Sequence, residues 1–354
     1  MANKRKSLLF SDWSSVDRWL WEAAIAEGDI FDGRGPVAHW SLVYRNSVMF
    51  SYGRWLAYLQ EYDPSCLEQL PSERVTVERI RGYVGTLKAE ISTTTVHLYL
   101  GRLHELMKVL CPDQDWGWLQ AVLYRLKGEI IPRNKRTRMV DIDRLFELGV
   151  GLMDTVEPSR ERLLLPQLLQ HRDGLIIALL AARPIRRKNL TAITLDRHLL
   201  NNGDHYELAF TGPEMKNGQP IAFSLPKVLT PYIDRYLDDI RPLINGANTH
   251  IRLWASAKGG AMGAKAIYDA VTRRTRHAFG HHVNPHLFRD CAATTIAIKD
   301  PAHVEITKDI LGHSRLETAE QYYNQARTLE ASRQYQSVIL AQRQKLVPGH
   351  TPGT

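Results

Sequence analysis

The sequence predicts a mainly α protein in two parts, an N-terminal helical bundle and a mostly helical second domain with a small antiparallel β-sheet. Three observations carry this. Apolar residues recur at helical spacing from residue 12 to residue 128. A proline-containing run of cations then separates two differently patterned halves. In the second half, an Asn-Gly pair stands between two alternating stretches, a strong hairpin signal.

The elements follow in order. Ser14 and Ser15 precede VDRWLWEAAIAEG, a helix that Gly28 stops. The stretch Val37 to Tyr62 places Val48, Tyr52, Trp55, Leu56 and Leu59 on one face. Thr76 to Ile91 gives a third helix. Thr94 to Leu110 gives a fourth, with Val96, Tyr99, Leu103, Leu106 and Leu110 at helical spacing and Pro112 at its end. Asp115 then caps WGWLQAVLYRLKG. Residues 1–130 are therefore expected to form a compact bundle. Residues 131–140, with Pro132, Arg133, Lys135, Arg136 and Arg138, are expected to be a basic interdomain linker facing DNA. Residues 141–345 form the second domain and 346–354 a flexible tail. In the second domain, long helices are predicted at Pro158 to Ala182 and Pro226 to Ile244. Ile193 to Leu199 is a candidate strand, and Tyr206 to Phe210 and Ile221 to Leu225 flank Lys216-Asn217-Gly218. Beyond Ala264 the chain is expected to be helical again, through AKAIYDAVTRRTRHAFG, PHLFRDCAATTIAIK, HVEITKDILG and a last pair after Leu316.

Composition narrows the class. A chain of 354 residues, 44% hydrophobic and 24% charged, is globular rather than disordered. A net charge of +8 suits either a merely basic enzyme or a protein that holds a polyanion. Cys66, Cys111 and Cys291 are odd in number and far apart, so no disulfide framework or CxxC site is expected and a reducing cytoplasm is the natural home. The N-terminal apolar run is too short for a signal peptide, and no stretch reaches the roughly 20 apolar residues of a membrane span, so no membrane partner is expected.

Four segments could do chemistry: PIRRKNLTAITL with Arg186, the hairpin with Lys216, NPHLFRD with His286 and Arg289, and LGHSRLETAEQYYNQA with His313, Tyr322 and Tyr323. Asn284 is a good N-cap and Pro285 a good first helical residue, so His286 and Arg289, three apart, share a face at a helix N-terminus. Such an end favours a phosphate. Taken singly, an HxxR pair is ordinarily a surface His and a surface Arg, and a helical Tyr is ordinarily core. A metal site built from His281, His282 and His286 is disfavoured, because Asn284-Pro285 prevents His282 and His286 from sharing a helix face and no HExxH occurs.

Together and in this order, these residues resemble the tyrosine recombinase family, which includes phage integrases and the Xer recombinases. Its pattern is an Arg, a hairpin Lys, H-x-x-R, then LGH with a tyrosine nine residues after that His. Here Arg186 is followed four later by Leu190 and seven later by Ile193, Lys216 stands in KNG, HLFRD occupies 286–290 and LGHS 311–314. The resemblance covers nearly the whole chain, since the N-terminal bundle looks like the family's core-binding (SAM-like) domain and the second like its catalytic domain. There are three departures. Asn189 stands where an acidic residue is usual. Arg183 and Arg187 flank Arg186, although only Arg186 has the right spacing. The tyrosine is doubled, with Tyr322 at an offset of nine and Tyr323 at ten. One helical step turns a side chain by about 100°, so only one of the two can face a phosphate. Tyr322 is taken as the nucleophile, with Tyr323 the alternative.

The resemblance implies a site-specific recombinase that cuts and rejoins DNA through a 3′-phosphotyrosine, without metal, ATP or other cofactor. Arg186 and Arg289 would fork the phosphate oxygens. Lys216 would be the general acid, His286 would help take the tyrosine proton, and His313 would hydrogen-bond the phosphate. Arg133, Lys135, Arg136, Arg138, Arg187, Lys188, Arg273, Arg274 and Arg276 are the expected DNA-binding cations. The expected partners are double-stranded DNA at a specific recombination site and three further copies in a homo-tetramer on paired sites. Sister recombinases or accessory proteins of a mobile element could join them. Two other readings stay open: a type IB topoisomerase-like or telomere-resolving enzyme, and a non-catalytic accessory DNA-binding relative.

Overall fold

The computed structural model describes residues 6–31, 33–131, 135–156, 163–215, 218–299 and 335–340. By internal contacts the chain divides into two compact units, Met1–Arg133 and Asn134–Thr354. Each has its own apolar core.

The first unit is built from α1 (Ser15–Ile25), α2 (Leu42–Tyr62), the single turn α3 (Pro71–Arg74), α4 (Val77–Glu90), α5 (Thr93–Leu110) and α6 (Gly117–Gly128). Local side chains set the helix starts. Ser14 accepts from the Asp17 N–H, Ser41 from Tyr44 and Thr76 from Arg79, each satisfying a donor the helix leaves over. The Ser41 cap is why α2 begins at Leu42 and not at Val37 as predicted. Ahead of α6, the Asp115 carboxylate accepts from the Gly117 N–H at 2.8 Å. Val48, Tyr52, Trp55, Leu56 and Leu59 are buried together, with Ile80, Tyr83 and Leu87 of α4 and Val96, Leu100, Leu103 and Leu106 of α5. Within this core Asp17 accepts from Arg74 Nη1 and from the Tyr52 hydroxyl, both at 2.7 Å.

In the second unit, α7 (Ile142–Asp154) and α8 (Leu165–Ala182) cross at a pair of glycines. A Cβ on Gly149 would lie 2.6 Å from the Ala178 amide nitrogen, and one on Gly174 would lie 2.6 Å from the Gly149 carbonyl. α8 is buried on every side from His171 to Ala181. The short α9 (Arg187–Ala192) follows, then a three-stranded antiparallel sheet in the order β1 (Leu199–Asn201), β2 (Tyr206–Phe210), β3 (Ile221–Ser224). α10 (Thr230–Arg235), α11 (Ala264–Phe279) and α12 (Leu287–Lys299) follow, and residues 335–340 are also helical. The mainly helical class with one small antiparallel sheet is the one the sequence predicts. Among the described residues, no helix is long and apolar enough to cross a membrane.

Three predictions need correction. Ile193 to Leu199 is not a strand: Thr194 makes only an isolated bridge with Arg252, and the chain turns before β1. The Thr194 carbonyl closes the turn by accepting from the N–H groups of His198 and Leu199, at 3.3 and 3.2 Å, and the His198 Nδ1 accepts from the Thr194 N–H at 3.1 Å. Pro226 to Ile244 is not one α-helix. α10 widens into a π turn at Tyr236–Ile240 and tightens into a 3-10 turn at Arg241–Leu243. Pro242 lacks the N–H to continue a helix, and the buried Arg241 donates instead to the carbonyls of Ala247, His250, Arg252 and Leu253. The expected linker is also shorter, since residues 135–140 belong to the second unit: Lys135 pairs with Asp290 at 2.8 Å and Val140 is buried in its core. The start of the helix predicted from Pro158, HVEITKDILG and the elements around Leu316 lie outside the described residues.

Candidate active site

Asn284 starts the site. Its side-chain oxygen accepts from the N–H groups of His286 and Leu287, both at 3.0 Å, and turns the chain into α12. Pro285 and His286 lie in that turn, and the regular helix begins at Leu287. Arg289, one turn in, is buried, and its Nη1 donates to the Pro184 carbonyl at 2.6 Å. Pro184 is two residues before Arg186, which N-caps α9. One hydrogen bond across 105 residues of sequence thus joins the two arginine segments.

His286 reports the same neighbourhood. Its ring reaches solvent, but the protein packed around it pulls its pKa below the ordinary value. Asp290 pulls the other way, and the positive charges of Lys135, Arg289 and Arg186 add to the lowering. The shift favours the neutral, proton-accepting form of the imidazole. Of the three neighbouring arginines, Arg183 has its guanidinium over the Phe223 ring at 5.1 Å and Arg187 over Tyr268 at 5.8 Å. The charge of Arg186 reaches His286.

The β2–β3 hairpin is described up to Met215 and again from Gly218, so Lys216 lies outside the described residues, as do His313, Tyr322 and Tyr323. The hairpin root is well defined. The Glu214 carboxylate accepts from the Thr211 N–H at 2.9 Å and its hydroxyl at 2.8 Å, and from His198 at 3.0 Å. The Thr211 bonds, with His198 adding, hold Glu214 down to about 2.

The other expected DNA-binding cations divide into three groups. Arg187 and Lys188 are exposed and line an open groove of about 590 Å³ with Met262 and Gly263, ahead of α11. Arg252 lines the same groove. It was missed in the sequence because it reaches the groove only through the bridge of its strand-like segment to Thr194. Arg273 and Arg274 behave differently, since both contact the buried Asp173, at 3.0 and 3.1 Å. Arg276 is exposed on the last turn of α11. In the basic joint, Lys135 is paired with Asp290 and Arg138 donates to His282 at 3.3 Å, while Arg133 and the Arg136 side chain lie outside the described part. Among the described residues, no three His, Cys, Asp or Glu side chains cluster as metal ligands do.

Comparison with known proteins adds a second line. A family model described as the phage integrase family matches residues 152–329, just over half of the chain. The tyrosine recombinase XerD of Chlorobaculum tepidum is 25% identical over 146 residues, a stretch that spans 41% of this chain and 46% of that relative. The chain thus matches just under half the length of that relative. Two solved structures share the fold. A XerH site-specific recombinase bound to difH substrate, a pre-cleavage complex, superposes with a TM-score of 0.56 at 18% identity, covering 82% of this chain and 79% of that one. The post-cleavage complex on palindromic difH gives 0.57 at 18% identity, covering 82% and 80%.

Proposed function

Because the chain belongs to the phage integrase family, we propose that it is a site-specific DNA recombinase that breaks and rejoins duplex DNA through a 3′-phosphotyrosine. The observation that supports this reading is the Arg289–Pro184 hydrogen bond, which ties the segment of His286 and Arg289 to the segment of Arg186, whose charge acts on His286. Two guanidiniums beside an imidazole suit a phosphate with a base at its edge.

In the proposed cycle, the Tyr322 oxygen attacks the scissile phosphorus while the bond to the 5′-oxygen breaks. His286, whose surroundings favour its neutral form, takes the phenolic proton. Arg186 and Arg289 bind the nonbridging oxygens, with their effect largest where negative charge grows in the pentacoordinate transition state. Lys216 gives a proton to the departing 5′-oxygen, and His313 hydrogen-bonds the phosphate. Attack by a 5′-hydroxyl from the partner strand reverses the step, so the phosphodiester is conserved and no ATP or metal enters. Arg187, Lys188 and Arg252 would hold the DNA backbone along their groove. The working species is a homo-tetramer on paired sites of a mobile element in the cytoplasm.

Covalent trapping tests this. Nicked suicide DNA cut from the ends of the element that carries the gene is incubated with wild type, Tyr322→Phe and Tyr323→Phe, and run on a denaturing gel. The expected result is a protein–DNA band that one of the two changes abolishes, which also names the nucleophile. DNA binding with no covalent band in any lane would replace the enzyme with a non-catalytic accessory protein.

A further inference from the structure

We propose that Asn189 is a positioning residue for the general acid: its amide, working with His198, grips the root of the β2–β3 hairpin and fixes the backbone from which Lys216 departs. The inference rests on the reading of Lys216 as proton donor in the proposed function. Asn189 is buried, and its Nδ2 donates to the Glu214 carbonyl at 3.2 Å and contacts the Met215 sulfur at 3.3 Å. Met215 is the residue before Lys216. His198, also buried, takes the Thr194 N–H on Nδ1 at 3.1 Å, so its Nε2 carries the proton that goes to Glu214 at 3.0 Å. Two side chains from the 189–198 segment therefore hold residues 211–215.

The neck of the loop is closed as well. The Met215 N–H donates to Gly212 and the Gly218 N–H to Met215, at 3.0 and 3.2 Å. A Cβ on Gly212 would lie 2.5 Å from the Gly218 carbonyl, and Gly218 has a φ of +70° that favours glycine. Since Asn189 sits on α9, the helix that Arg186 caps, one short helix connects Arg186 to the residue beside Lys216.

The amide is the chemically required group here. Both partners of Nδ2, a carbonyl oxygen and a thioether, are acceptors. A carboxylate at 189 has no proton to offer and would repel both. The acidic residue that the family resemblance leads one to expect at this place is therefore incompatible with this hairpin root.

A sulfur leaving group separates positioning of the acid from other effects. As the tyrosine oxygen bonds to phosphorus, the bond to the 5′-oxygen breaks and that oxygen needs a proton. With a 5′-bridging sulfur the thiolate leaves without one. Rates of covalent adduct formation are measured on oxygen and sulfur versions of the suicide DNA for wild type, Lys216→Ala, Asn189→Asp and Asn189→Ala. On oxygen DNA, Lys216→Ala is expected to be slower by about 100-fold or more and both Asn189 variants by about tenfold or more, the scale of general-acid catalysis. On sulfur DNA all three are expected within about threefold of wild type. Asn189 variants equally slow on both DNAs, or unimpaired on oxygen DNA, overturn the proposal, and Asn189→Ala decides the matter if Asn189→Asp does not fold. A wild type inactive on both DNAs overturns the function itself, and a Lys216→Ala variant left slow on sulfur DNA overturns the donor; both take the proposal with them, by a visibly different pattern.

Discussion

Each unit buries a carboxylate against arginine, and the two do so differently. Asp17 in the first unit meets Arg74, whose side chain is only 2% exposed, with the Tyr52 and Ser14 hydroxyls as further donors. Asp173 in the second unit is as buried but meets Arg172 on its own helix and Arg273 and Arg274 from α11. Of these, the Arg273 side chain is 64% exposed. A charge taken out of water must be compensated locally, and removing the sole partner of an enclosed pair leaves the full desolvation penalty behind. Sharing one buried charge among three cations, one of them mostly in water, makes each cation more dispensable. It also means that a run of arginines on a helix face can hold the fold while still presenting positive charge outward.

The largest test of this contrast is Arg74→Ala. It leaves the buried Asp17 without its cation and should lower the stability of the first unit by about 3–5 kcal/mol in urea unfolding followed by tryptophan emission. A loss below about 1 kcal/mol would mean that the enclosed pair is no different from a surface one. Acid should distinguish the units next. The buried His171 ring donates to the Tyr232 carbonyl at 3.1 Å, and burial pushes its pKa down from 6.5 to about 4. Between these values the unfolded chain binds the extra proton, so the second unit loses stability as pH falls through that window, by up to about 3 kcal/mol, and is unaffected above it. His171→Phe should flatten the pH profile; an unchanged slope would put the acid sensitivity elsewhere.

Smaller effects sharpen the comparison. Arg274→Ala should cost the second unit only about 1 kcal/mol, because Arg172 and Arg273 still face Asp173. Adding Arg273→Ala should then cost more than the sum of the single changes in a double-mutant cycle. A single Arg274→Ala loss as large as that of Arg74→Ala would erase the distinction between the units. The smallest expected change is Arg276→Ala, within about 0.5 kcal/mol of wild type in stability. Its effect should appear in DNA binding, as a salt slope lower by about one. If Arg274→Ala lowers that slope equally while stability stays the same, the Asp173 cluster is a DNA surface rather than an internal brace.

What could be foreseen follows the range of the interactions involved. α4 falls between the predicted Thr76 and Ile91 because cap and apolar stripe are local. β2 occupies Tyr206–Phe210 as predicted, since alternation along a few residues is all it needs. The segment 193–199 misled because its strand-like residues close a turn on the Thr194 carbonyl, and 226–244 because Arg241 turns to carbonyls beyond the helix end. At the site, order and spacing singled out Arg186, His286 and Arg289. Asn189 read only as a departure, because its partner carbonyl lies 25 residues away across a hairpin. Arg273 and Arg274 read as a solvated or DNA-facing stripe because Asp173 is about a hundred residues upstream on another helix.

The Gly149–Gly174 crossing bears on how the chain can be cut for study. The match to the family model begins at residue 152, within α7. A fragment begun there would discard most of that helix, including Leu145 and Gly149, and leave the inner wall of α8 uncovered. Val140 and the Lys135–Asp290 pair would go with it. An expressible second half should therefore start near Asn134: the edge of the family match and the edge of the compact unit are, in this chain, different places.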